Sequence, residues 1–287
     1  MSLLSANLQA FAAIARIGTV HGAASELRLT QTGVTQRIRA LERDLGTTLF
    51  LRSRKGMMLT SDGEALMQYC KGAEDLEGEA MSRISGAASV RPIDVSIIGP
   101  TSIMSSRVAK QCQPLFTMWP QLQLHFVLSD ISDRINKVRT GEATMAIVPP
   151  EQAPNEMTSK LLKPDRFVLV ASPQWKGRRI TDILATERVI DFNHDDQTTI
   201  NYLKKYKLID DLKRPRLFIN NNDTLIHYFK HGLGFGTLTI EIAKPYLDSQ
   251  DLILLNSGVA MEDPLALVWY PRHEVPAYFQ AILKAIK

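Results

Sequence analysis

The stretch TVHGAASELRLTQTGVTQRIRALERDLG, residues 19–46, decides the fold of the N-terminal part of the chain. Thr19 precedes small apolar residues at helical spacing, which predicts the capped start of a short helix. Thr30 predicts the cap of a second helix, whose apolar face ends at Gly46. That face consists of Val34, Ile38, Leu41 and Leu45. Two helices joined by a tight turn are typical of a helix-turn-helix motif.

The flanking segments extend this motif into a small domain. Upstream, Leu8, Phe11 and Ala15 recur at helical spacing before Gly18, which predicts a first helix. Downstream, residues 48–52 and 57–60 are short β-prone runs around a basic turn that ends in a glycine. We therefore expect three helices followed by a basic hairpin.

The net charge of the chain, +4, is concentrated in this domain. Residues 1–63 hold eight Lys and Arg against four Asp and Glu, whereas the other residues hold equal numbers of each sign. A basic domain on a balanced body indicates that one end of the chain meets a polyanion, although chance clustering is the simpler alternative.

The outer face of the second motif helix predicts contacts with double-stranded DNA. Gln pairs with an adenine edge, Thr offers a hydroxyl and a methyl group, and Arg binds guanine or phosphate. The helix start, with its free N–H groups, also suits a phosphate. The alternative is a generic solvated helix face. The predicted DNA-binding residues are Thr30, Gln31, Thr32, Thr35, Gln36, Arg37, Arg39, Arg52 and Arg54.

A long helix is predicted from Ser61, where Ser61 and Glu64 offer a capping box. Its apolar positions form a seven-residue seam over about 25 residues, and such a seam favours pairing with a second copy over a simple spacer. The seam comprises Leu66, Tyr69, Ala73, Leu76, Ala80 and Ala87. Residues 85–92 then predict a domain boundary.

Beyond Pro92 the pattern alternates between strand and helix, which predicts an α/β body with largely parallel sheets. The predicted strands are residues 93–98, 122–128, 144–148, 166–171, 188–192, 216–220 and 264–270. The predicted helices are residues 102–118, 131–140, 196–206, 223–231, 239–247 and 275–286.

Composition excludes several classes of protein. At 45% hydrophobic residues the chain carries no apolar run of membrane-spanning length, and no signal-peptide pattern precedes Arg16. Only Cys70 and Cys112 are present, too few for a disulfide framework or a four-cysteine zinc site. We therefore expect a cytoplasmic protein that contacts no membrane.

Enzymatic motifs are weak in the body. The glycine-rich run at residues 232–236 follows a predicted helix and precedes a strand. This order is the reverse of a dinucleotide-binding fingerprint, which follows a strand and opens a helix. His227 and His231 are one turn apart without the Glu of a zinc-protease helix, which favours surface or packing histidines. We expect no catalytic residue, no metal and no cofactor.

A small-molecule pocket is better supported. Gly99-Pro-Thr101-Ser102 follows the first predicted strand of the body, and open α/β sheets bind ligands at the carboxyl ends of their strands. Hydroxyl and amide groups there would receive a carboxylate or another anion. Plain helix capping by Thr101 or Ser102 is the alternative.

The N-terminal pattern resembles that of the LysR-type transcriptional regulators. The resemblance rests on Phe11-Ala-Ala-Ile-Ala-Arg16-Ile-Gly18-Thr, Ala23-Ala24-x-x-Leu27-x-x-Thr30-Gln31, Val34-Thr-x-x-Ile38-x-x-Leu41-Glu42-x-x-Leu45-Gly46-x-x-Leu49-Phe50-x-Arg52 and Leu59-Thr60-x-x-Gly63. It implies a winged helix-turn-helix, a dimerising linker helix, and an effector domain of two Rossmann-like subdomains similar to periplasmic binding proteins. It also implies operator DNA and a small effector as partners, and a homodimer that often assembles into a homotetramer.

The resemblance gives the expected domain bounds. The winged domain would span residues 1–60, the linker helix 61–89 and the effector domain 92–287. Within the effector domain, subdomain I would cover about 92–163 and 265–287, and subdomain II about 166–262.

One departure from the family pattern concerns the recognition helix. Relatives usually show Thr-Gln-Pro-Ala-Val-Ser, whereas this chain has Thr-Gln-Thr-Gly-Val-Thr at residues 30–35. Glycine costs a helix roughly 0.5–1 kcal/mol relative to alanine but permits close approach to DNA. The base preference therefore cannot be copied from relatives.

The family resemblance also selects effector-binding residues at the strand ends of the body. They are Thr101, Ser102, Asp130, Pro149, Phe192, Asn193, Asn222 and Asp223. The second half of the chain is similar to the branch that regulates lysine and arginine export, on residues 189–196, 36–38 and 269–272. A cationic effector would need an acidic partner, for which Asp130, Asp191, Asp195 and Asp223 are available, each of which also fits a solvated cap or loop.

The sequence thus predicts a DNA-binding regulator that senses a small molecule, such as an amino acid or an organic acid. The competing class is a solute-binding or enzymatic α/β protein with an accessory DNA-binding domain. The missing export signal disfavours the former, and no catalytic constellation supports the latter.

Overall fold

The computed structural model describes residues 4–53, 56–85, 92–130, 133–272 and 275–287. The chain divides into two compact units. Unit 1 comprises Met1–Thr101, Gln111–Leu161 and Ala266–Lys287, and unit 2 comprises Ser102–Lys110 and Leu162–Leu265. In the described ranges, no helix is both long and apolar enough to cross a membrane.

Unit 1 begins with three helices, α1 (Ala6–Ile17), α2 (Val20–Glu26) and α3 (Gln31–Leu45). Their ends match the predicted signals. The hydroxyl of Thr19 accepts a hydrogen bond from Gly22 N at 3.1 Å, and that of Thr30 accepts one from Gly33 N at 3.0 Å. Gly18 and Gly46 take left-handed conformations with φ of 77° and 68°, as residues that end helices commonly do.

Strands β1 (Phe50–Ser53) and β2 (Gly56–Leu59) form the predicted antiparallel hairpin, here called the wing. Two hydrogen bonds attach the wing to the helices. Leu49 N donates to the Glu42 carboxylate at 2.8 Å, and Met57 N donates to Gly18 O at 2.8 Å. Gly56 has a φ of 117°, and a Cβ at this position would clash with Gly18 O. The wing therefore requires a glycine where it meets the end of α1.

A compact apolar core holds the three helices and the wing together. Phe11 is fully buried, and its ring lies 5.2 Å from that of Phe50. Val34, Ile38 and Leu41 are buried as their spacing predicts, but Leu45 is 51% exposed. Leu45 is the last residue of α3, so its side chain extends beyond the core.

Helix α4 (Ser61–Ser85) follows the wing. Its cap is Thr60 and not the predicted Ser61, because the Thr60 hydroxyl accepts from Gly63 N at 3.0 Å. The predicted seam is divided: Leu66 and Ala73 pack against the helical core, whereas Tyr69 and Leu76 are 60% and 63% exposed. Ala87 and most of the boundary predicted at residues 85–92 lie outside the described residues.

The rest of unit 1 is an α/β layer. Its strands are β3 (Ile93–Gly99), β4 (Leu122–Leu128), β5 (Met145–Val148) and the last part of β11 (Met261–Trp269). Strand β3 pairs in parallel with β4 and β5, while β11 pairs antiparallel with β5. Its helices are α7 (Arg134–Arg139), α12 (Ala277–Ala285) and parts of two others. Of α5 (Thr101–Ile103) only Thr101 belongs to unit 1, and of α6 (Ala109–Met118) the first two residues belong to unit 2. Between α5 and α6 the chain forms a π-helical turn, Met104–Val108, which belongs to unit 2.

Unit 2 contains most of β6 (Thr158–Ala171), together with β9 (Gly236–Thr239) and β10 (Ile253–Leu254), both antiparallel to β6. Strands β7 (Ile190–Asp191) and β8 (Leu217–Phe218) form a parallel pair. Its helices are α8 (Ile180–Thr186), α9 (Thr198–Lys205), α10 (Asn222–Lys230) and α11 (Ile240–Asp248). The α/β class is as predicted, but the sheets are mixed and not largely parallel. Strand β10 and helix α8 were absent from the predicted elements, and β9 was expected only as a strand after the glycine-rich run, without bounds.

The glycine-rich run 232–236 has a packing role in unit 2. It joins α10 to β9, in the order that the sequence predicts. A Cβ on Gly234 would clash with the side chain of Ile190 and with Arg188 O, and one on Gly236 would clash with Ile190 O. These glycines allow the chain to pass close to β7. Backbone packing therefore explains why glycines occupy these positions, and a phosphate-binding role is not needed to explain them.

Candidate functional sites: the DNA-binding surface and the effector domain

The outer face of α3 is exposed along its first three turns. Thr32, Gln36 and Arg39 are exposed, while Val34 and Ile38 between them are buried. Helical periodicity produces this arrangement, because residues three or four apart share a face. Of the predicted DNA-binding residues on α3, Gln31, Thr32, Gln36 and Arg39 are exposed, so these side chains are placed to reach a base edge or a phosphate.

Other predicted DNA-binding residues have internal partners. The Thr30 hydroxyl caps α3, and the Thr35 hydroxyl donates to Gln31 O at 2.8 Å. Arg37 Nη1 lies 3.4 Å from Ala6 O, to which it donates. Thr35 therefore offers DNA only its methyl group and the lone pairs of its oxygen, and Arg37 is turned toward α1.

The wing presents Arg52, which is exposed on β1. Arg54, at the predicted tip, lies outside the described residues. Leu51 and Met58 are direct cross-strand partners and are 57% and 55% exposed, so one face of the wing is apolar.

The sequence interpretation missed a contact at the start of α3. Gln31 Nε2 lies 3.2 Å from Nδ1 of His21, which is exposed on α2. The two positions are ten residues apart, and no local pattern links them. Only the packing of α2 against α3 brings them together.

In unit 1, Thr101 and Asp130 form a tight pair. Thr101 N donates to Asp130 Oδ1 at 2.9 Å, and the Thr101 hydroxyl donates to Oδ2 at 2.6 Å. The groups expected to receive an effector carboxylate thus already bind a protein carboxylate. The Arg134 guanidinium donates to Ser129 O at 2.8 Å; burial lowers its pKa, and the nearby charges of Asp130 and Asp133 oppose this decrease. Pro149 lies at the end of β5, just before a short 3₁₀ turn.

In unit 2, the loop after β7 is closed by its own side chains. Asn193 Oδ1 accepts from Asp195 N and Asp196 N, both at 2.9 Å. The Asp196 carboxylate accepts from Phe192 N at 3.2 Å and from Thr198 N at 2.9 Å. Asn193 therefore shapes the loop that presents the half-buried Phe192.

Arg216, which the sequence did not single out, holds this loop. Its guanidinium donates to Asp191 Oδ2 at 2.8 Å and to Asp196 O at 2.7 Å, and stacks 5.1 Å from the Phe218 ring centre. Asp191 is buried, and burial raises the pKa of its carboxyl, against the opposing hydrogen bond from Arg216. Asp191 is thus a structural partner of Arg216, whereas Asp195 is fully solvated, with a side chain that is 98% exposed.

At α10 the capping residue is Asn221, whose Oδ1 accepts from Thr224 N at 2.9 Å. The predicted effector-binding residues Asn222 and Asp223 form the first turn of this helix, and Asp223 is exposed. Ser102 is half-buried and belongs to unit 2. The eight predicted residues are thus divided between the two units.

A buried ion pair also lies in unit 2, where the π-helical turn carries Arg107. Its guanidinium donates to Lys163 O at 2.7 Å and lies 3.6 Å from Asp165 Oδ1. Burial raises the pKa of the Asp165 carboxyl to about 7, and the nearby Arg107 charge opposes this increase only in part.

Cys70 and Cys112 are buried and free, and burial raises the pKa of both thiols to about 11.

A three-helix domain with an exposed polar recognition helix and a wing, joined through a long helix to an α/β body, defines a DNA-binding transcription regulator. Two family models match the chain: the bacterial regulatory helix-turn-helix protein, lysR family, at residues 5–64, and the LysR substrate binding domain at residues 94–287. The protein belongs to the LysR family of transcriptional regulators.

Among sequence relatives, the chain is 34% identical to the uncharacterized HTH-type transcriptional regulator YusT of Bacillus subtilis over 145 residues. That match covers 50% of this chain and 48% of YusT, so it spans about half the length of the relative.

Solved structures agree on the fold. The crystal structure of ArgP from Mycobacterium tuberculosis aligns with a TM-score of 0.79 and 21% identity, over 99% of this chain and 96% of that one. Full-length LysG from Corynebacterium glutamicum, with bound effector Arg, aligns with a TM-score of 0.75 and 20% identity, over 98% and 95%. The predicted family and fold class are confirmed.

Proposed function

We propose that the protein binds operator DNA through α3 and the wing, and that a basic amino acid bound to its α/β body changes that binding. The observation that carries the effector part is Asp130, an exposed carboxylate fixed by both the amide and the hydroxyl of Thr101. A fixed carboxylate with free lone pairs is suited to an ammonium or guanidinium group.

The neighbourhood of Asp130 supports a cationic ligand. The Asp133 carboxylate lies 3.9 Å from Lys137 Nζ, whereas the two hydrogen bonds that Asp130 accepts come from the uncharged amide and hydroxyl groups of Thr101. Elsewhere in the body, Asp195 and Asp223 of unit 2 are exposed acidic side chains. LysG, whose fold this chain shares, has been solved with bound arginine. We therefore place lysine and arginine first among the effectors to be tested.

Thermal shift measurements test this effector class. Arginine or lysine at millimolar concentration should raise the melting temperature, whereas norleucine, which lacks the side-chain charge, should not. At a hundred times its dissociation constant a ligand adds about 2.7 kcal/mol, which corresponds to several degrees.

Two variants make this test specific. Asp130→Asn should lose most of the ligand-induced shift. Asp94→Asn removes another exposed carboxylate of unit 1, on β3, and should keep it. An absent shift with both basic amino acids would contradict the effector class while leaving the DNA-binding role intact.

We further propose the division into a winged domain at 1–60, a linker helix at 61–89 and an effector domain at 92–287, with pairing of two copies through α4. The exposed Tyr69 and Leu76, seven residues apart on one face, support this pairing. Dimers would then associate into tetramers.

The pairing matters for affinity, because each winged domain carries a small positive charge and neutralises few phosphates. Leu76→Glu should yield monomers in light scattering and weaken DNA binding at physiological salt. Tight, salt-insensitive binding by such a monomer would contradict the proposed pairing.

A further inference from the structure

We propose that His21 sets the base preference of Gln31, by holding the Gln31 amide in the orientation that reads adenine. This inference rests on the proposed DNA-reading role of α3. His21 is on α2 and Gln31 is the first residue of α3, so the contact joins the two helices of the DNA-binding motif. His21 is a positioning residue in this account, and Gln31 is the base-contacting one.

The geometry gives the amide a defined direction. Gln31 Nε2 lies 3.2 Å from His21 Nδ1. Nε2 of an amide only donates, so Nδ1 of His21 is the acceptor in this contact. One of the two N–H groups of Gln31 is thereby used. The other N–H and the carbonyl Oε1 are left for DNA.

One donor and one acceptor side by side match adenine. In the major groove adenine offers the N7 acceptor and the N6 amino donor, and glutamine binds both at once. Guanine offers two acceptors, O6 and N7, and so requires two donors. The amide held by His21 lacks the second free donor and therefore discriminates against guanine.

A residue that can only donate at position 21 should reverse this outcome. A donor would bind Gln31 Oε1, turn the amide over, and leave both N–H groups for the two acceptors of guanine. The acceptor or donor character of the side chain at position 21 thus decides which purine Gln31 prefers. Both side chains are exposed, so substitutions at position 21 leave the apolar core of the domain unchanged.

The neighbouring contacts keep Gln31 in place while its amide is oriented. Thr30 caps α3 through its hydroxyl, and the Thr35 hydroxyl donates to Gln31 O at 2.8 Å. These bonds fix the backbone of the first turn. The remaining freedom lies in the Gln31 side chain, which is the part that His21 contacts.

The test selects binding sites for the full-length protein from a randomised double-stranded DNA library, and then measures affinities for the selected site and its single-base variants. Gln31→Ala identifies the position that Gln31 reads, as the one whose adenine preference disappears. At this position the wild type should prefer adenine to guanine by about tenfold or more.

Four variants then separate the possibilities. His21→Ala should reduce the adenine preference several-fold, and His21→Asn, whose Oδ1 can replace Nδ1 as acceptor, should retain it. His21→Lys should shift the preference toward guanine. Ser25→Lys adds the same charge one turn along α2, and should raise affinity for all sequences without changing the preference.

An unchanged adenine preference in His21→Ala and His21→Lys would overturn the inference. A wild type with no adenine preference that depends on Gln31 would also overturn it. In both cases the DNA-binding role would stand if Gln36→Ala still lowered affinity for the selected site. Failure of the wild type to enrich any sequence would instead contradict the proposed function itself.

Discussion

The recognition helix and the loop after β7 were both predicted to bind a partner, and they differ in how their side chains are used. On α3, Thr32, Gln36 and Arg39 are directed outward by a helix whose other face is buried. In the loop, Asn193 accepts from two backbone amides, and Arg216 donates to Asp191 and to Asp196 O. Much of the polar chemistry of the loop maintains its own shape.

This difference follows from secondary structure. A helix satisfies its backbone by internal hydrogen bonds, so its outward side chains are free to contact a partner. A loop lacks that internal ladder and often uses Asn and Asp side chains in its place. Polar residues in a helix face are therefore stronger evidence of binding than the same residues in a loop.

The largest expected effect comes from breaking the core beneath the recognition helix. Phe11→Ala should cost roughly 3–5 kcal/mol, because it removes a fully buried ring that packs against Phe50. DNA binding should be lost at 37 °C, while ligand binding to the body is retained. Retained DNA binding with an unchanged unfolding curve would show that this core does not support α3.

The next effect separates base reading from general attraction. Gln36→Ala should weaken binding to the selected operator by about tenfold or more, and binding to random DNA far less. Arg37→Ala serves as the matched control, since Arg37 is turned toward Ala6 O and should affect both DNAs alike. Equal losses on both DNAs for Gln36→Ala would show that Gln36 reads no base.

A smaller effect tests the structural use of the loop. Asn193→Ala leaves the Asp195 N–H without its acceptor, whereas the Asp196 N–H keeps the Asn193 backbone oxygen at 3.2 Å. The change should cost roughly 1 kcal/mol, visible as a fall of a few degrees in melting temperature. Asn193→Asp keeps an acceptor oxygen and should restore most of the stability. A melting temperature that is unchanged by the alanine substitution would assign Asn193 to ligand binding alone.

The last expected effect depends on pH. Burial raises the pKa of Asp165 from 3.8 to about 7, so the folded protein binds a proton there that the unfolded chain releases. The stabilisation is therefore complete below about pH 4 and is lost as the pH rises toward 7 and beyond.

Asp165→Asn should remove this pH dependence. Its stability relative to the wild type should increase between pH 5 and pH 8, by roughly 2–3 kcal/mol. Glu151→Gln, at an exposed position in the 3₁₀ turn after β5, should show no such trend. Parallel stability curves for Asp165→Asn and the wild type would contradict the raised pKa.

The elements of the DNA-binding domain were predictable because their signals are local. The helix ends lie where they were predicted, with caps at Thr19 and Thr30 and terminal glycines at Gly18 and Gly46. Of the residues predicted on the buried face of α3, only Leu45, its last residue, is exposed. Local spacing determines helix ends and helix faces, so one sequence is sufficient for both.

The remaining features depend on contacts between distant segments. The antiparallel strands β9 and β10 join a sheet through β6, and no local pattern distinguishes them from buried loops. Likewise His21 meets Gln31, and Arg216 meets Asp191, across turns whose geometry the sequence does not state. Tertiary packing creates these pairs, which is why the contact that orients Gln31 was not predicted.

The measurement that tests the central claim most directly is DNA footprinting with the full-length protein and with a triple variant, Thr32→Ala, Gln36→Ala and Arg39→Ala. All three side chains are exposed, so the variant should keep the melting temperature of the wild type. We expect the wild type to protect discrete operator sites and the folded variant to protect none. Equal protection of the same sites by the variant would contradict the assignment of α3 as the reading helix.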